Sequence, residues 1–148
     1  MSERPPVIQT IVDQHAEEAA FLWLLRDAAV SAPHYTLKDL ADLDERVEAH
    51  IDGLRVAGAA GWETCAAALE ADEPGEVFAA AVLAFESQDG ERIARVVQRG
   101  MSSKENQRAL VSALGWIDFE HLRPLAETMM NANAAAYRQL GLAAAAIH

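Results

Sequence analysis

The side chains in this 148-residue chain best suited to chemistry are two histidines and two glutamates on neighbouring predicted helices. His15 and Glu18 fall one helical turn apart, so they share a face. Glu48 and His50 lie on the next helix, and the four could meet around a metal ion if the two helices pair. Carboxylate-bridged metal bundles draw Glu-x-x-His from two helices, and that motif does not occur here in that order. His15 also borders an apolar stripe, where a core histidine bonded to a neighbouring carbonyl or carboxylate is the simpler expectation. A helical-bundle metal-binding protein or enzyme using His15, Glu18, Glu48 and His50 is thus the alternative reading of this sequence.

Other routes to catalysis are closed at the level of motifs. The chain has no P-loop, no GxGxxG, no GxSxG and no HExxH. Cys65 is the single cysteine, which excludes an intrachain disulfide and a multi-cysteine metal knuckle. It sits among alanines on a predicted helix face, a setting for a small buried hydrophobe and not for a nucleophile. The expectation is a non-enzymatic protein without a cofactor. Two features could serve binding instead. Asp42, Glu45, Glu48 and Asp52 form an acidic stripe on one predicted helix, either an ordinary solvated face or a patch that meets a basic partner. Trp23, Trp62 and Trp116 are expected in the core, and any left exposed would be a binding anchor.

Composition narrows the partner class. Twelve Lys and Arg against 23 Asp and Glu give a net charge of −11, which opposes binding to phosphate backbones or anionic lipid. No nucleic-acid or membrane partner is expected, and a basic protein fits better. Residues 1–6 lack the basic-then-apolar layout of a signal peptide, and the longest apolar run, 77–85, is too short to span a bilayer. With one cysteine, these features point to the reducing cytoplasm.

The elements that must position these residues are all helical. Hydrophobic residues make up 51% of the chain and aromatics only 6%. An Ala- and Leu-rich mixture of that kind favours closely approaching helices. Over 6–32, Ile8, Ile11, Val12, Ala19, Leu22, Leu25 and Ala29 recur at three- and four-residue steps, and Phe21, Trp23 and Leu24 broaden the stripe. This helix should be covered on more than one side, by its neighbours or by a partner, with Pro5 and Pro6 in its first turn. Thr36 followed by Asp39 predicts the N-cap of a second long helix, with Leu37, Leu40, Leu43, Val47, Ile51 and Leu54 inward and Gly58 and Gly61 at its end. Shorter helices follow over 62–71 and 76–87, after Asp89-Gly90, after Ser102-Ser103, after a cap at Asp118, and beyond 131–133. No stretch alternates long enough to predict a strand.

The short helices carry a weak repeat of roughly thirty residues, in the range of helical solenoids. Residues 81–85 correspond to 112–116 and, more loosely, to 142–146, with a second helix of the type 92–96 or 121–125 between copies. The predicted fold class is an all-α, HEAT-like α-solenoid of antiparallel helix pairs. It comprises a single domain with a long N-terminal hairpin over 6–59 and helix pairs over 60–148. The last helix stays apolar to Ile147, so the chain is expected to be the front portion of something longer or to associate with itself through that helix.

The run from Ile11 through Phe21-Leu22-Trp23-Leu24-Leu25-Arg26, followed by Ala32-Pro33-His34-Tyr35 and by Leu43-Asp44-Glu45-Arg46-Val47-Glu48-Ala49-His50-Ile51-Asp52-Gly53-Leu54-Arg55, resembles the N-terminus of a bacterial family of HEAT-repeat proteins. Genes for that family are often found near type VI secretion genes. The resemblance covers most of the chain and is densest in its first sixty residues. It implies a cytoplasmic binding protein, an immunity or accessory factor that holds and neutralises a secreted toxin or a secretion component. No catalytic residue comes with it. Members of the family are longer, and that departure in length bears on how much of the family's function these residues carry.

Overall fold

A computed structural model describes residues 6–148 as helices joined by short turns, with no strand among the described residues. In chain order the helices are α1 (Gln9–Val30), α2 (Leu37–Ala57), α3 (Ala59–Ala68), α4 (Pro74–Ser87), α5 (Gly90–Gly100), α6 (Lys104–Trp116), α7 (Phe119–Met130) and α8 (Ala135–Ile147), with a 3₁₀ turn at Leu69–Ala71. The leader reading of residues 1–5, and the role expected for Pro5, lie outside the described residues. Pro6 precedes α1 and does not sit in its first turn.

Local chemistry explains most of the boundaries. Thr36 and Asp39 close a capping box at the start of α2: the Asp39 amide donates to Thr36 Oγ1 at 3.1 Å, and the Thr36 amide donates to Asp39 Oδ2 at 2.9 Å. These bonds to the charged form, with the backbone bond foremost, hold the Asp39 carboxyl below its ordinary pKa. Gly58, at φ 61°, ends α2 and begins α3 in one residue, a reversal that a side chain would strain. Asp89 and Ser103 accept amide bonds at the starts of α5 and α6. Asp118 occupies the corresponding place before α7, but its side chain makes no capping bond.

Tertiary packing centres on α4. It touches α1, α3, α5, α6 and α7, and each residue over 77–85 is buried, so its apolar run is that of a helix covered all round. The helices carrying the repeated segment adjoin in order, α4 on α6 and α6 on α8, while α5 lies against α4 and α6, and α7 against α8 and α4. At the other end α1 and α2 form the long hairpin, and α1 also rests on α3 and α4. Gly75 permits the α1–α4 crossing, since a Cβ there would come within 2.5 Å of the Ala20 carbonyl oxygen. One continuous core joins residues of every α-helix.

The covered side of α1 comprises Val12, Ala16, Ala19, Ala20, Leu22 and Trp23. Phe21 and Leu24 were expected to widen that stripe inward. They face solvent instead, Phe21 at 61% exposure, because α2, α3 and α4 all approach α1 from the other side. Leu37, expected on the inner face of α2, is also exposed, because it is the first residue of that helix, at the turn that joins α1 to α2. Leu43, Val47, Ile51 and Leu54 are buried as their spacing predicts. No described helix is long and apolar enough to cross a membrane.

Candidate functional site

Trp116 occupies the last turn of α6 and is half-buried, whereas Trp23 and Trp62 belong to the core. Its inner edge is fixed. The indole stands edge-on to Phe78 with centroids 5.4 Å apart, Phe78 stacks on Trp23 at 5.3 Å, and Trp23 Nε1 donates to Ser112 Oγ at 2.9 Å. Trp116 Nε1 donates to the Glu48 carboxylate. The Arg26 guanidinium, bonded to Asp44 at 2.7 Å, lies 6.0 Å over the Trp116 ring.

Around this anchor runs a groove of about 840 Å³ between the C-terminal half of α1 and the whole length of α6. Its apolar lining is Val30, Val111, Trp116 and Ile147, and its cations are Arg26, Lys104 and Arg108. Arg108 is paired with Asp27 at 2.7 Å. A second depression of about 440 Å³ shares Arg26, Gly115 and Trp116 with the first and is walled by Asp44, Glu45 and Glu48. Trp116 therefore sits between a basic end and an acidic end. Such an arrangement presents an aromatic face flanked by charges of both signs.

The acidic stripe divides into residues with different work. Arg55 bonds Glu86 through Nε at 3.0 Å and Nη2 at 2.8 Å, and its Nη1 bonds both Glu48 and Asp52. Burial alone would lower the guanidinium pKa, but the bonds to Glu86, Glu48 and Asp52 outweigh it and hold the proton more firmly than usual. Glu48 is thus committed to Arg55 and Trp116. Asp52 lies at the margin of a different hollow beside His15 and Gly53, and Asp42 is exposed without a bonded partner among the described residues. Of the four, only Glu45 combines exposure, an open charge and a place in the second depression beside Trp116. Arg26, Arg55, Lys104 and Arg108 were not singled out from the sequence. The available signal was the scarcity of cations, 12 against 23 acids, which makes the neighbours of each one worth tracing.

His15 and His50 do meet across the α1–α2 hairpin, Nδ1 to Nδ1 at 3.0 Å. The bonded partner of His15 is therefore a second histidine and not the expected carbonyl or carboxylate. Glu18 is near enough for its charge to act on His50. Glu48 is turned away to Arg55 and Trp116, so the four candidate ligands do not converge. Among the described residues, no group of three or more His, Cys, Asp or Glu is placed to hold a metal ion. Cys65 is buried, and burial pushes its thiol pKa up to about 12, which keeps it protonated and unreactive at neutral pH.

No family model, no curated protein and no solved structure matches the chain.

Proposed function

We propose that this chain is a non-enzymatic protein-binding module whose partner docks on the Trp116 groove. The observation that carries the reading is a rigidly backed, half-open tryptophan between clusters of opposite charge, the composition of an interface anchor with a polar rim. The adjoining order of α4, α6 and α8 supports a HEAT-like layering of helix pairs, in which the long α1–α2 hairpin closes one end of the stack. The resemblance of the first sixty residues to HEAT-repeat proteins near type VI secretion genes adds a role for the module. It is an immunity or accessory protein of the cytoplasm that holds and neutralises a toxin or secretion component.

The test is affinity capture from the source cells, with the wild type and Trp116→Ala as parallel baits and mass spectrometry of what co-purifies. A secreted toxin retained by the wild type and lost by the variant, with the variant's helical content unchanged, is the expected result. Equal retention by both baits removes the groove from the interface.

A further inference from the structure

We infer that the occupant of the groove is an amphipathic α-helix of the partner, with an acidic residue at one end and a basic residue about three turns away. This inference rests on the protein-binding reading above. The groove follows α6 from Lys104 in its first turn to Trp116 in its last. Those twelve steps at about 1.5 Å per residue separate the two ends by about 18 Å. The basic end and the acidic depression that adjoins Trp116 each keep one charge uncommitted. Among the described residues, Lys104 has no ion pair at the basic end and Glu45 has none at the acidic end, while Arg26, Arg108 and Glu48 are already matched. An acid opposite Lys104 and a base opposite Glu45 complete the pattern, with apolar side chains between them on Val111 and Trp116.

Helical form follows from the walls. Both are helices whose backbone bonds are internal, so an extended segment would find no sheet edge along the groove and would leave its inward N–H and C=O groups unpaired. A helix satisfies its own backbone and presents side chains alone. Gly115, exposed on α6, contributes no side chain to the groove floor beside Trp116. A second copy of this chain is the weaker occupant, because two bodies at −11 each repel before they meet.

The experiment is selection from a displayed library of random peptides about 14 residues long, helix-biased at both caps and long enough to cover α6. Selection uses the wild-type chain, with counter-selection on Trp116→Ala. Enriched sequences are expected to carry Asp or Glu and Lys or Arg about eleven or twelve residues apart, flanking an apolar face. Lys104→Glu and Glu45→Lys should each weaken the selected peptides about threefold to fivefold, the range of an exposed charge pair. The double variant should prefer a peptide with the two charges exchanged. Trp116-dependent peptides without that charge arrangement overturn the proposed occupant and leave the groove as the interface. Failure to enrich any Trp116-dependent sequence overturns the proposed occupant and the groove together. Concentration-dependent dimerisation abolished by Lys104→Glu would assign the groove to a second copy and overturn the proposal.

Discussion

His15 and His50 face one another so that their ring centroids stand 5.3 Å apart and their Nδ1 atoms 3.0 Å apart. Their centroids exceed the nitrogen separation by roughly twice the reach from ring centre to ring atom, so the two nitrogens point at each other, as in an N–H···N hydrogen bond. A metal held by both at about 2.0–2.1 Å would turn each lone pair toward a common point off the line between the nitrogens and set them about 3.3 Å apart. The pair can share one proton along that line and cannot accommodate two. Burial first, then the charges of His15 and Arg46, hold His50 below its ordinary value of 6.5, while Glu18 pulls it up.

A pH dependence follows. Folded His50 takes its proton at lower pH than the unfolded chain does, so over the window just below 6.5 the unfolded state binds more protons. Stability is therefore complete above that window and declines as pH falls through it. Urea midpoints between pH 7.5 and 5.5 should decrease in the wild type and decrease less in His50→Gln. Parallel slopes for the two proteins would mean that the pair does not report on pH.

The close crossing of α1 and α4 makes a second prediction. Gly75→Ala drives a Cβ to within 2.5 Å of the Ala20 carbonyl oxygen, a backbone atom that cannot swing aside. The helices must separate, at an expected cost of about 1–3 kcal/mol. Gly90, with nothing within 4 Å of its would-be Cβ, is the control. There Ala should be neutral or stabilise by up to about 1 kcal/mol. Thermal melts of both variants decide the matter, and equal behaviour would show that the crossing is not tight.

Arg55 ties the α1–α2 hairpin to α4 by gripping Glu86 with two nitrogens while holding Glu48 and Asp52 on its own helix. Removing it in Arg55→Ala leaves Glu86, itself only partly exposed, without its cation. The expected loss is about 1–3 kcal/mol, below that of a deeply buried pair because the cluster remains open to solvent on one side. Arg55→Lys should recover only part of it, since an ammonium cannot form the two-nitrogen fork. Full recovery by Lys in chemical denaturation would reduce the cluster to simple charge.

These cases mark where the sequence is readable. Thr36-Asp39, Asp89 and Ser103 announce their helix starts because a cap acts within three residues, and Gly58 announces a reversal because its φ is local. The buried row Leu43, Val47, Ile51 and Leu54 of α2 follows from spacing, and the all-round burial of 77–85 in α4 goes with an unbroken apolar run. Phe21 and Leu24 were misplaced because periodicity says which residues share a stripe and not how wide a neighbour will cover. The bonds of Glu48 were out of reach for a related reason. Its role depends on Arg55 and Trp116, one of them 68 residues away, and no local pattern carries that partnership. The groove is legible only after α1 and α6 have been brought side by side across α4.

The division of labour within the acidic stripe sets the last prediction. Reversing Glu45 and Glu48 together would disturb the Arg55 cluster and confound binding with folding. Of the stripe, Glu45 alone is exposed, in the depression beside Trp116 and unpaired among the described residues, so Glu45→Lys changes the field at the acidic end while leaving the core untouched. With a partner in hand, the variant should associate severalfold more slowly at low salt, show a flatter salt dependence, and dissociate at nearly the wild-type rate, because a rim charge steers encounter more than it holds the complex. Its melting temperature should stay within the small range of a surface change. Stopped-flow association across a salt series reads both effects, and an unchanged on-rate at low salt would take Glu45 out of the interface.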